Sequence, residues 1–194
     1  EELRLAIQRD VETIEQKGPK MGDVMAALRE AGASYLPELV APLDVNAYQT
    51  MLRRRMMTGV YFMDLTYAAT FAQRAAAARS GQAACQLLEQ VGYPQPDLER
   101  RYREALDQVD LPGGDDRLAA LFREQNQNRI WQDMLASGEG IEIVVDGLYG
   151  FLVEGLYLTC ELCVLSNYDP AFLMYVAYMR ESFETSKQLL YRLG

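Results

Sequence analysis

The chain has 194 residues, a mass of 22.0 kDa, 49% hydrophobic and 24% charged residues, and a net charge of -9, which is enough for one well-buried core and reads as a single domain over 1–194. That acidic balance disfavours nucleic acid as a partner, because affinity for phosphate backbones needs clustered Lys and Arg, and the one tight basic run, Arg53-Arg54-Arg55, reads as a solvated helix face. The absence of histidine excludes Ser-His-Asp and Cys-His catalysis, imidazole zinc sites and Glu-x-x-His di-iron bundles, so no metal and no cofactor is expected.

Along the chain, helical spacing dominates and no strict alternation of β-branched residues is long enough for a strand. The expected fold is all-α, with about eight helices in antiparallel pairs forming a bundle or helical array. The chain starts at Glu1-Glu2, without Met, basic segment or apolar signal core, so any targeting segment is expected to have been removed. Leu3, Ile7, Val11 and Ile14 form the stripe of a first helix that Gly18-Pro19 ends. A second helix spans about 22–31, with Val24, Ala27, Leu28 and Ala31 on its apolar face and Gly32 closing it. Residues 33–42 read as a loop, since Pro37 and Pro42 bias the residues before them away from helix.

Asp44 or Asn46 is the expected cap of a long third helix whose stripe is Leu52, Met56, Val60, Met63, Tyr67 and Phe71. A fourth spans about 73–91 and stops at Gly92 and Pro94; Ala72 to Arg74 reads equally as a turn or as a continuation. Asp97 is the expected cap of a fifth helix with Leu98, Tyr102, Ala105 and Val109 on one face. Leu111-Pro-Gly-Gly-Asp-Asp116 is the strongest turn signal, and any domain seam belongs near 110–116. A sixth helix is expected over about 116–136. After the seventh segment, Asn167-Tyr-Asp169-Pro170 is a stop followed by a cap and a Pro at the first position of the last helix.

The seventh segment, IEIVVDGLYGFLVEGLYLTCELCVL over 141–165, is apolar on nearly every face yet carries Glu142, Asp146, Glu154 and Glu161. It is long enough to span a bilayer, but each buried acid would cost about 2.5–3.5 kcal/mol at a membrane centre, so a buried helix of a soluble bundle fits it better, with both faces covered. Gly147 and Gly150 cost a helix about 1 kcal/mol each against Ala, which points to a close helix crossing ahead of a ligand approach. Cys160 and Cys163 form a C-x-x-C inside an apolar helix, away from the helix N-terminus that lowers thiol pKa values, and read with Cys85 as packing residues.

Gly59-Val-Tyr61 echoes Gly147-Leu-Tyr149 and Gly155-Leu-Tyr157, and Asp64 sits on an apolar stripe of the third helix. The expectation is that the third and seventh helices pack centrally, with Asp64, Glu154 and Glu161 accepting hydrogen bonds from Tyr or Arg side chains. The candidate ligand-binding or buried polar network is Tyr61, Asp64, Tyr67, Asp146, Tyr149, Glu154, Tyr157 and Glu161, with no catalytic residue assigned. These acids read first as a core network and second as a pocket or a paired-carboxylate site.

Gly32, Ala33, Tyr35, then Gly59, Tyr61, Asp64, Leu65, Tyr67, and later Glu154, Gly155, Leu156, Tyr157 resemble, in order, blocks of an uncharacterised family of all-helical lipoproteins and secreted proteins of Gram-negative bacteria. Ala41-Pro42 stands where that family has Asn-Pro. The resemblance covers roughly 21–165, assigns no activity, and implies a periplasmic or cell-envelope location with membrane association only through an N-terminal lipid anchor upstream of Glu1. The expected function is a non-enzymatic domain that binds a partner protein or small ligand in a groove between central helices. The alternatives are a carboxylate and Tyr enzyme around Asp64, Glu154 and Tyr157, and a purely structural envelope component using its twelve Tyr residues as packing contacts.

Overall fold

A computed structural model describes residues 2–17, 20–107, 127–137 and 140–193. Among them the structure is helical throughout, in agreement with the all-α expectation: α1 (Glu2–Lys17), α2 (Met21–Glu30), α3 (Met51–Thr70), α4 (Arg74–Gln90), α5 (Pro96–Asp107), α6 (Gln127–Ser137), α7 (Ile141–Leu165) and α8 (Pro170–Leu193), with 3-10 turns at Pro37–Leu39 and Val45–Ala47. The expected turn and seam at 110–116, and the first half of the sixth helix, lie outside the described residues.

Chain neighbours pack together through short turns at α3–α4, α4–α5 and α7–α8, but the most extensive contact joins α3 to α7, far apart in sequence. Arg55, Gly59 and Asp64 meet Asp146, Gly147 and Glu154 in rising order, so these two helices run in the same direction. Their shared length has apolar packing on both sides. On one side Phe62, Leu65, Val144, Val145 and Leu152 pack with Ile7, Leu87, Leu88, Tyr102 and Trp131; on the other Met63, Tyr67, Leu158 and Leu162 pack with Met25, Leu28, Phe172 and Met179. Thr58 to Leu65 of α3 are buried without interruption, which explains a helix with no polar face there.

The crossing is set by glycine. A Cβ on Gly59 would overlap the carbonyl oxygen of Gly147, and one on Gly150 would overlap the carbonyl oxygen of Met56, so the two backbones touch directly. A Cβ on Gly147 would lie 2.7 Å from the Trp131 ring, which packs edge-on against Phe62 with ring centroids 5.5 Å apart. The expected close crossing at Gly147 and Gly150 is therefore present, with Gly59 as its third member.

Several local expectations are corrected. Thr50, not Asp44 or Asn46, caps α3, its hydroxyl accepting from the Arg53 amide; Asp44 instead caps the short turn at Val45–Ala47 by accepting from the Asn46 amide. Ala72 closes α3 in the left-handed region at φ 58°, with the Gln73 amide donating to the Ala68 carbonyl, so the open point at Ala72 resolves as a turn. Nor are both faces of α7 covered along its whole length. Tyr157, Val164 and Leu165 are 42%, 50% and 62% exposed, because the neighbouring helices cover the N-terminal two thirds of α7 more fully than its end.

Candidate functional site

Every third residue of α3 from Tyr61 to Tyr67 faces the loop that joins α2 to α3. Tyr61, Asp64 and Tyr67 are fully buried, and each holds the loop backbone at a different point. The Tyr67 hydroxyl accepts from the Leu36 amide at 2.9 Å, the Asp64 carboxyl accepts through Oδ2 from the Ala41 amide at 3.2 Å, and the Tyr61 hydroxyl donates to the Pro42 carbonyl at 2.7 Å. Tyr35 lies on Tyr67 with ring centroids 5.0 Å apart, and Tyr48 lies edge-on to Tyr61 at 6.3 Å. A loop with two prolines has few ladder bonds of its own, and this face of α3 supplies the partners its buried backbone requires.

On the far side of Asp64 stands Glu154 of α7, within hydrogen-bonding reach. Asp64 Oδ1 has no donor among the described residues. Two ionised carboxyls offer no donor to one another, whereas a single proton between them makes the contact a charge-assisted hydrogen bond. Burial first, and then the facing Glu154 charge, hold Asp64 well above the usual carboxylate range; burial likewise raises Glu154. Burial also pushes the Tyr61 and Tyr67 hydroxyls up, so both remain protonated at neutral pH.

One helical stretch away, acids on α7 are satisfied differently. Arg55 of α3 donates through Nε to Asp146 at 2.7 Å and through Nη1 to Glu142, bridging both. The Asp146 side chain is 7% exposed and that of Arg55 19%, so this is a partly buried pair. Burial holds the Asp146 carboxyl above its ordinary value, and Arg55 beside it offsets only part of that rise.

The eight candidate residues therefore do not form one network. Tyr61, Asp64, Tyr67 and Glu154 come together; Asp146 belongs to the Arg55 cluster. Tyr149 packs on Phe183 of α8 with ring centroids 5.6 Å apart, Tyr157 is exposed, and Glu161 is half-buried beside Cys160. The expected Tyr and Arg donors to Glu154 are not what it meets: the tyrosines turn to loop backbone, and the partner of Glu154 is another acid. Cys85, Cys160 and Cys163 are free thiols, Cys85 and Cys163 buried and Cys160 half-buried, and burial pushes Cys85 and Cys160 up, consistent with packing residues and not with a reactive dithiol.

The glycine contact leaves no groove between α3 and α7 where they cross. An open cleft lies one layer out, between the held loop and the start of α4, with a volume of about 800 Å³. Tyr35, Val40, Ala41 and Leu43 form one wall, and Ala72 to Ala76 with Arg79 and Ser80 form the other. Arg79 is exposed, and Gln73, which precedes α4, gives that helix no side-chain cap. Sequence reading missed Arg79 and the α4 start, since nothing in an Ala-rich helix marks them until the loop is folded over it. Burial and Asp64 raise the Tyr35 hydroxyl, and Arg79 lowers it.

Among the described residues no group of three or more acidic or Cys side chains is arranged to hold a metal ion. One described helix, α7, is long and apolar enough to cross a membrane, and in this fold it is the helix that carries the contact with α3. Set against protein-family models, curated proteins and solved structures, the chain matches none.

Proposed function

We propose that this chain is a non-enzymatic, envelope-associated helical domain that binds a small ligand in the cleft between the 33–43 loop and α4. The observation that carries this reading is the cleft itself: about 800 Å³, the size of a ligand site, with one wall fixed to the core by three buried side chains. A wall held in place before binding loses little freedom on binding, which favours affinity. Arg79 and the uncapped start of α4 favour a ligand with an acidic group.

The alternative of a carboxylate and Tyr enzyme draws on Asp64 and Glu154, the paired acids with raised pKa values. Binding is favoured over it because Asp64 is wholly buried and the Tyr61 and Tyr67 hydroxyls are engaged with the loop backbone, leaving no group of that set facing the cleft. The envelope location rests on the sequence resemblance.

The test is an NMR titration with a panel of small carboxylates and phosphate esters, following the amides of Tyr35, Ala75 and Ala76. Saturable shifts that disappear in Arg79→Ala, with the rest of the spectrum intact, are the expected result. A panel that moves none of these amides removes the reading. Fractionation of cells expressing the full-length gene tests the location separately, and recovery in the cytosol would remove it.

A further inference from the structure

Asp64 stands between the cleft-forming loop and the second central helix. Its Oδ2 holds the Ala41 amide, its Oδ1 has no donor among the described residues, and the carboxyl of Glu154 from α7 lies beside it. Full burial of a carboxyl is costly unless it is neutral or paired with a cation, and here the available cation, Arg55, is committed to Asp146 and Glu142. The arrangement is therefore complete with one proton in the pair and incomplete without it.

We propose that the Asp64–Glu154 pair is a proton-operated latch on the loop: while the pair holds its proton the loop is clamped at Ala41, and when the proton leaves the loop detaches there and the wall of the cleft opens. This names a regulation of the cleft, and as ligand control it rests on the reading of that cleft as the binding site.

The physical course follows from what covers each acid. Glu154 is only half-buried and can turn toward water once it is charged. Asp64 cannot. It is enclosed by α3, α7 and the loop, and the α3–α7 side is locked by backbone contact at Gly59, Gly147 and Gly150. The cover that can yield is the loop at Ala41, which is half-buried and attached to Asp64 by a single hydrogen bond of 3.2 Å. Water entering there solvates the carboxylate and replaces the amide as its donor.

The titratable groups that face Asp64 are Glu154 from α7, Tyr35 from the loop, and Tyr61 and Tyr67 from α3 itself. Arg79 of α4 acts on Tyr35, Asp44 on Tyr61 and Glu38 on Tyr67. The three tyrosines are all raised above their ordinary value, so between about pH 5 and pH 9 the carboxyls alone change charge within this group. Raised carboxyls of this kind release their proton within that range, which is where the latch acts.

The loop contains its own control. The Leu36 amide is held by the Tyr67 hydroxyl, five residues from Ala41, and does not depend on the carboxyl pair. Amide hydrogen exchange of the full chain, expressed as protection relative to an unfolded peptide at each pH, should show Ala41 losing about tenfold more protection than Leu36 between about pH 5 and pH 9. Asp64→Asn keeps an oxygen for Ala41 and supplies an amide donor to Glu154 without an ionisable proton, so Ala41 should stay protected across the range. Glu154→Gln removes the facing charge but leaves Asp64 titratable, so there the divergence of Ala41 from Leu36 should persist with its midpoint moved to lower pH. The latch is overturned if Ala41 and Leu36 lose protection in parallel in the wild type, or if their divergence persists in Asp64→Asn. This readout contains no ligand, so a failed ligand titration leaves it standing, and failure of the exchange result leaves the ligand titration standing.

Discussion

The two ends of the α3–α7 contact solve the same problem in opposite ways. At the Arg55 end, acids on α7 meet a cation from α3 and the backbones touch through glycine, so charge is matched by an opposite charge and space by the absence of side chains. At the Asp64 end, an acid on α7 meets an acid on α3, and the match requires a proton that solvent can remove. The lesson is that a buried carboxylate is not one kind of feature: its meaning is set by the group opposite. The first end fixes the fold. The second couples the fold to the loop and to pH.

The glycine crossing is the point most sensitive to substitution. Gly59→Ala should cost about 3 kcal/mol or more in urea denaturation, since the added Cβ meets backbone that cannot turn aside, whereas Gly155→Ala should cost under about 1 kcal/mol because its neighbours are the flexible ends of Met21 and Met179. Equal losses at both positions would show that the crossing is not set by backbone contact. Next, Arg55→Ala should destabilise by about 3 kcal/mol by leaving Asp146 buried without its cation, and Arg55→Ala combined with Asp146→Asn should recover part of that. Additive losses in the double variant would argue against the pairing.

The pH dependence sharpens the other end. Asp64 and Glu154 hold protons more tightly folded than unfolded, so between about pH 4, where the unfolded carboxyls ionise, and their raised folded values the native state carries more protons. Stability from this pair therefore falls as pH rises through that window, with a slope of up to about 1.4 kcal/mol per pH unit for each proton. Asp64→Asn should flatten the slope and leave the protein at least as stable as wild type near pH 8, measured by urea midpoints across pH. A slope unchanged by the substitution would place the titration elsewhere. Smaller still, Tyr67→Phe should cost about 1–2 kcal/mol through the unpaired Leu36 amide and leave the pH slope intact. The smallest effect is Arg79→Ala, which should change stability by less than about 0.5 kcal/mol while removing ligand-induced shifts.

The all-α build, most helix limits and the close crossing at Gly147 and Gly150 were legible because helical period, Gly and Pro stops and the cost of Gly inside a helix are local properties of the chain. Asp64 and Glu154 stood out for a related reason, as acids within apolar stripes. Their roles were not legible. Tyr61, Asp64 and Tyr67 share a face by spacing alone, but that this face holds Leu36, Ala41 and Pro42 depends on a loop returning across α3. Thr50 displaced Asp44 as the cap of α3 because the chain makes a separate short turn first, which no local pattern distinguishes from an earlier helix start. Spacing put Tyr149 and Tyr157 near the acids, yet a helix turns through 100° per residue, and those side chains leave toward α8 and solvent.

Composition and period, as properties of the chain, are enough to make this protein a helical bundle without histidine chemistry, with carboxyls inside the apolar stripes of two long helices. That one carboxyl meets Arg55 while another meets a second acid, and that a cleft opens beside the central helices and not between them, follows from how the helices pack. The reason is physical: the charge state of a buried acid and the shape of a cleft depend on what lies across from them, and the facing residues come from elements about 90 positions away in the chain, brought together only when the two central helices pack.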